Sequence, residues 1–242
     1  MGALELDRLT WPEVKAELQA GRDTVVVAFG ATEQHGPHMP LATDALIGDH
    51  LARLVADRLD AFVAPTVRIG CSEHHLAFPG TLSVSQETFA AVVADLVASL
   101  ERGGFRRVIL LPTHGGNFAP LAAAVQGLHA EIQISALTDL GALMAIAQLG
   151  AEEHGVPLEH GGLHAGEWET SMLMAIHPEL VHAERGEAGF TGDPQAAIQS
   201  IFGAGVDSVA ANGVIGDPAQ ASADHGERYW DRVLEITLAE IG

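Results

Sequence analysis

Short apolar runs rich in β-branched residues alternate along this chain with stretches whose apolar residues recur at helical spacing. Val25-Val26-Val27-Ala28-Phe29 and Val108-Ile109-Leu110-Leu111 predict buried strands, and Phe62 to Val67 and Ile132 to Leu137 predict weaker ones. Between them, Leu46, Ile47, Leu51, Leu54, Val55 and Leu59 share one helical face. Phe89, Val92, Val93, Leu96, Val97 and Leu100 share another, closed by Gly103-Gly104. Strands that lack polar alternation are covered on both faces, so the pattern predicts an α/β fold with a mostly parallel sheet. After about Gly186 the chain turns glycine-rich and the periodicity fades. An irregular cover is expected there, feeding a last helix from Ala221 to Ile241. No internal repeat or low-complexity linker interrupts the 242 residues, and one domain over 1–242 is expected.

Composition narrows the function. The net charge of −20 arises from 32 acids against 12 bases, with Lys15 the single lysine. A nucleic acid partner is not expected, because binding one requires Lys and Arg to displace counterions; the ordinary consequence of such charge is solubility. No run nears the ~18 to 20 apolar residues that span a bilayer, and Met1 is not followed by a charged and then an apolar leader. A cytoplasmic protein without membrane partners is therefore expected. The lone Cys71 excludes an internal disulfide or a cysteine zinc cluster, whereas 13 histidines leave imidazole and carboxylate as metal ligands.

Three loops carry those groups. Directly after the Val25 strand comes EQHGPHMPLATD, where Glu33 and His35 are two apart and leave an extended backbone on one face. Pro37 and Pro40 stiffen the return to Asp44, expected at the N-cap of a helix from Ala45; His38 is expected to be a loop residue. His114 ends the Val108 strand in THGGN, and loops at strand carboxyl ends gather on one rim of a parallel sheet. In EHGGLHAGEWETS, Glu167, Trp168 and Glu169 open a helix through Met172, Leu173 and Ile176, with His160 and His164 in the preceding loop. Helix capping explains each acid singly, and THGGN would equally suit a phosphate-cradling turn. Together, Glu33, His35, Asp44, His114 and one of Glu167 or Glu169 offer oxygen and nitrogen ligands suited to Zn, Mn or Fe(II). A shared Asp could bridge two such ions about 3.5 to 4 Å apart.

At these residues the chain resembles the creatininase (creatinine amidohydrolase) family. The blocks are GATEQHGPHMPLATD (Gly30 to Asp44), SEHHLAFPGTLSVS (Ser72 to Ser85), LPTHGGN (Leu111 to Asn117), HAGEWETSMLMAIHPELV (His164 to Val181) and GVIGDPAQASADHGE (Gly213 to Glu227). The resemblance implies a three-layer α/β/α sandwich, a homohexamer, and two divalent metal ions per subunit. It implies Glu33 and His114 on one metal, His35 on the other and Asp44 between them. Creatininase proper carries an aromatic residue and a Glu after the histidine matching His114, where this chain has Gly115 and Gly116. Glu169 is expected to supply the missing carboxylate. The same departure argues against creatinine as substrate, because only 5% of residues are aromatic; Trp168 could form part of a wall. Members sharing HGGN and HAGEWETS resemble hydrolases of formamidopyrimidines, of terminal peptide residues or of cyclic ketones derived from inositol.

The reaction so implied is hydrolysis of an amide by a hydroxide bridging two metals. His164 is expected to shuttle the proton, since imidazole titrates near neutral pH, and Glu167 to support catalysis. Ser72, Glu73 and His74 are expected to contact a small-molecule substrate. His75, His129, His154, His177, His182 and His225 are expected to be surface or structural. Two rival expectations are a single-metal lyase or isomerase of a sugar-like ketone, and a non-catalytic sugar-phosphate binder that holds no metal.

Overall fold

The fold comes from a computed structural model that describes residues 2–139, 141, 145 and 153–242. Five strands, β1 (Leu4–Glu5), β2 (Thr24–Phe29), β3 (Phe62–Val63), β4 (Arg107–Pro112) and β5 (Gln133–Ala136), form a sheet in the order β1-β3-β2-β4-β5. All four pairings are parallel, and Thr24 to Phe29 run in register with Arg107 to Pro112. The expected Phe62 to Val67 strand is cut short because Pro65 has no N–H to give a ladder. Val67 nevertheless rejoins the sheet, donating to Ala28 O and bridging to Phe29.

Alternation along β2 divides the interior into two layers. Val26 and Ala28 face a core with α2 (Thr43–Leu59), α6 (Glu167–Ile176) and α8 (Ala223–Ile241). Val25, Val27 and Phe29 face the opposite core, where α3 (Gln86–Gly103) and α4 (Phe118–Gln126) pack. Each large side chain buried this way contributes about 1.5 to 3 kcal/mol relative to exposure. The α/β class and the sandwich are thus those expected. Helix α3 ends where the glycines require, with Gly104 left-handed at φ 100°.

Several elements depart from expectation. β1 and the capped helix α1 (Trp11–Gln19) precede the first anticipated strand. His160 lies not in a loop but in the short helix α5 (Leu158–Gly161). The stretch after Gly186 holds a helix, α7 (Pro194–Ala204), whose Ala197 and Ile201 are buried against Val206 and Ile215. α8 begins at Ala223, after Ser222 caps it through His225 N. No described helix is long and apolar enough to cross a membrane.

The topology itself creates a site. β2 leads to α2 on one face and its neighbour β4 leads to α4 on the other, so a crevice opens between their carboxyl ends. In open parallel sheets ligands collect in such crevices.

Candidate metal centre

Gly30 ends β2 with no side chain because a Cβ there would stand 2.7 Å from the backbone of Ala45. That close approach brings the start of α2 over the strand end. The helix begins at Thr43 with Ala42 at its N-cap, so Asp44 is not the cap expected from sequence. It occupies the first turn, where the helix dipole favours a carboxylate, and its side chain points into the crevice. Thr113, at the end of β4, donates to Asp44 O at 2.7 Å and locks the two rims together. Asn117 adds a second bolt: its amide donates to Phe29 O and Gly30 O and accepts from Cys71 N. That amide is thus spent on backbone, holding the THGGN loop against the end of β2.

Glu33, His35, Asp44, His114 and Glu169 all meet in this crevice. Asp44 lies centrally, with Oδ1 3.3 Å from His35 Nε2 and Oδ2 3.0 Å from His114 Nδ1. Glu33 Oε1 is 3.6 Å from both His35 Nδ1 and His114 Nδ1, and 3.7 Å from His164 Nδ1. Two clusters share Asp44: Glu33, Asp44 and His114 form one, and His35, Asp44 and Glu169 the other, each with potential ligand atoms within 4.8 Å of one another. Glu33 with His35 and His164, and His74 with His75 and His114, form two further clusters of the same kind.

Hydrogen bonding fixes how the imidazoles present themselves. His35 Nδ1 donates to Glu33 O (3.2 Å), His114 Nε2 to Cys71 O (3.3 Å) and His164 Nε2 to Gln34 O (2.7 Å). A carbonyl can only accept, so each ring, when neutral, turns the lone pair of its other nitrogen toward the carboxylates. Tethering one ring nitrogen this way is how proteins orient histidines that bind metal through the other.

The carboxylates lack what would satisfy them. Glu33 Oε1 and Oε2, Asp44 Oδ2 and His35 Nε2 are buried without a hydrogen-bond partner, although Glu33 and His35 are wholly inaccessible. Uncompensated buried charge is costly. Burial, reinforced by Asp44 and Glu169, holds the Glu33 carboxyl well above its usual range. Burial also pushes Glu169 up to about 7. Burial disfavours charge on His35, but Glu33 and Asp44 outweigh it and raise its pKa to about 10. The site thus draws positive charge, and its mixed oxygen and nitrogen donors fit a divalent transition metal.

Glu167 and Glu169 separate cleanly. Two residues apart on a helix lie about 200° around its axis. Glu169 reaches the cluster and accepts from Ala165 N, whereas Glu167 turns to α8. There its carboxylate accepts from Ser171 Oγ (2.8 Å), His225 Nδ1 (2.8 Å) and Tyr229 OH (2.6 Å). Glu167, expected to support catalysis, thus stands outside the cluster and ties α6 to α8. His225, expected to be structural, is its partner. Trp168 packs in the sheet core with Ile109 and Met172; it is absent from the cavity over Asp44 and His114 but lines a smaller one with Thr113 and Glu169.

His164 is 8% exposed and is aligned by an antiparallel bridge to Ile215, which accounts for the Gly213 to Glu227 signature. Burial and the adjacent His35 hold its pKa well below the usual value. Of the other expected contacts, His74 lines the cavity and Ser72 Oγ reaches His114 Nε2 at 3.2 Å, but Glu73 is exposed in a groove outside. His38 is buried against Thr170, away from the cluster, as a non-ligand should be. Sequence reasoning missed His75, which is buried with Nδ1 2.8 Å from Glu33 Oε2, and Gln34, whose amide meets His75 Nδ1 and Gly213 O. The position of His75 within the EHHLAFPGT block was the available signal. Gly116 is also constrained, since a Cβ there would lie 2.3 Å from Cys71 O and 2.7 Å from His114 Nε2.

Comparison with known proteins agrees with this geometry. The chain is 32% identical over 238 residues to a mycofactocin precursor peptide peptidase of Mycobacterium tuberculosis, covering 93% of this chain and 87% of that protein. It is 30% identical over 194 residues to a creatinine amidohydrolase of Pseudomonas putida, covering 73% of each. The crystal structure of a creatinine amidohydrolase superimposes with a TM-score of 0.82 at 26% identity, covering 98% of this chain and 96% of the other. A creatininase variant described as Zn–Zn type gives 0.81 at 25%, covering 99% and 97%. The creatininase family model, described as creatinine amidohydrolase, matches residues 7–241. Spanning both halves of the carboxylate and histidine cluster as well as the sheet that carries them, that match makes this chain a hydrolase of the creatininase family.

Proposed function

We propose that the protein hydrolyses an amide C–N bond, of a cyclic amide, a formamide or a small peptide-like substrate, with two divalent cations per subunit. Glu33, Asp44 and His114 would hold one and His35, Asp44 and Glu169 the other. The carrying observation is Asp44, whose two oxygens face ring nitrogens of His35 at 3.3 Å and His114 at 3.0 Å, with Oδ2 buried and without a hydrogen-bond partner. When bound, such a pair of cations supplies a hydroxide nucleophile at neutral pH and polarises the carbonyl under attack. Zn, Mn and Fe(II) all suit these donors.

The chain's own residues do the rest. Gln34 occupies His164 Nε2 with both its backbone carbonyl (2.7 Å) and its side-chain amide (2.9 Å), so Nδ1 is the nitrogen that takes a proton from the attacking water and passes it to the departing nitrogen. His75 Nδ1, which accepts from the Gln34 amide, lies 2.8 Å from Glu33 Oε2 behind the cluster. His74 lines the cavity and contacts the substrate from the loop after β3, while Ser72, wholly buried, steadies His114 through its Nε2. We further expect a cytoplasmic homohexamer. The decisive test is to load the protein with Zn, Mn or Fe(II), count bound ions by elemental analysis, and screen cyclic amides, formamides and short peptides for new amine. Tight metal without turnover on any amide, or turnover with no metal bound, would overturn the proposal.

A further inference from the structure

Two spaces of very different size meet beside the carboxylates. The inner cavity is about 90 Å³, with Asp44 and its unpartnered Oδ2 at one side. Its opposite wall is apolar: Leu163, Ile198, Ile201, Phe202, Val206 and Ile215. The inner cavity is small beside the groove it opens into, so the bulk of an extended ligand belongs outside it. His74, Gly116, Ile201 and Phe202 line this cavity and also a wider groove of about 780 Å³. Beyond them the groove is polar, carrying Glu73, Gln86, Glu87 and Asp207. Phe202 marks the threshold, 61% exposed and with its ring 5.0 Å from that of His74.

Charge restricts what can lie there. Among the described residues lining either space there is no Lys or Arg. A substrate carboxylate or phosphate lying in the groove would therefore find no counter-charge among its described lining residues and would face Glu73, Glu87 and Asp207. An apolar end group fits the inner wall, and a neutral or cationic extension fits the groove.

We infer that the substrate is an extended amide that occupies both spaces, with a small apolar end group in the inner cavity and a neutral or cationic remainder running over Phe202 into the groove. The inference rests on the hydrolase function proposed above. Cleavage at the threshold consumes one water: its oxygen joins the carbonyl carbon, the C–N bond breaks, and the nitrogen takes the proton. The small end group and the longer remainder leave as separate products. A free-standing ring would use the inner cavity alone and leave the groove empty.

The test uses the metal-loaded full chain and four matched amides. They are a short capped amide with an apolar end group, the same amide extended by several neutral residues, and that extension carrying Lys or Asp. kcat/KM is measured for each, and Kd by anisotropy for labelled, non-cleavable analogues. Extension should raise kcat/KM about tenfold or more, a Lys extension should exceed an Asp extension by about tenfold, and Asp207→Lys should narrow that ratio. Phe202→Asp should weaken Kd for the extended analogue more than for the short one. Equal kcat/KM and equal Kd for short and extended amides, or a preference for Asp, would overturn the inference. If nothing is cleaved but extension still tightens Kd, the hydrolase proposal fails and the two-space inference stands. If nothing is cleaved and Kd is unchanged, both fall.

Discussion

Oδ2 of Asp44 stands 3.0 Å from Nδ1 of His114, yet His114 has already committed an N–H to the carbonyl of Cys71. Two groups that both offer lone pairs at that distance require a positive charge to reconcile them. One residue stands in the first turn of α2, the helix that follows β2, and the other on the loop after β4, so the requirement is built into the strand order rather than into either segment.

Replacing Asp44 by Ala should therefore remove more than one ligand would. Turnover should fall to the detection limit and bound metal should drop, as measured by elemental analysis. Unchanged metal content together with preserved turnover would exclude the bridging role.

His164→Gln should behave differently. The metals should remain, while kcat falls by roughly 10² to 10⁴, the usual range for lost acid-base catalysis. Loss of metal from this variant would place His164 among the ligands instead.

Removing the cations should cost stability, because Glu33, Asp44 and Glu169 are buried together. A chelator should lower the melting temperature, and adding back Zn or Mn at a hundredfold above Kd should restore about 2.7 kcal/mol. Identical melting curves with and without chelator would mean that no cation is held there.

Tyr229→Phe withdraws one donor from the buried Glu167 carboxylate without touching the cluster. A stability loss of about 1.5 to 3 kcal/mol is expected by urea denaturation, the usual worth of a hydrogen bond to a charged group. Metal content should be unchanged; metal loss would instead mean that the tie between α6 and α8 also sets Glu169.

Cys71 supplies a pH-dependent check. Burial, with Glu87 nearby, pushes its thiol up to about 11 from 9.0. Raising the pKa of an acid withholds its anion, so at pH 8 the reactive thiolate should be about a hundredfold scarcer than for an ordinary cysteine. Alkylation by iodoacetamide should be slow at pH 8 and climb until about pH 11. Fast labelling at pH 8 would show the site to be more open than described.

Much of this was legible in advance, for identifiable reasons. β2, β4, α2 and α3 carry unbroken apolar runs or long helical stripes, and a stripe survives any detail of packing. β1 was not legible because two residues have no period; Leu4 and Glu5 become a strand only by pairing with β3. α7 was hidden by its Ala and Gly content, and it is held by Val206 and Ile215 from elsewhere in the chain. The loops that supply Glu33, His35, Asp44 and His114 could be placed on one rim by topology alone. The choice between Glu167 and Glu169 needed the rotation of α6 about its axis, which sequence leaves undetermined. His75 escaped because a buried and an exposed histidine look alike in a polar loop.

Gly116 gives the site a history as well as a shape. Creatininase, by the resemblance noted above, places a glutamate where this chain has a glycine pressed against the carbonyl of Cys71. Installing that glutamate here would collide with the backbone of Cys71, while Glu169 already reaches the cluster from another helix. The two arrangements are therefore alternative solutions separated by a valley. A lineage or an engineer could cross it only by moving the loop at Cys71 and surrendering Glu169 together.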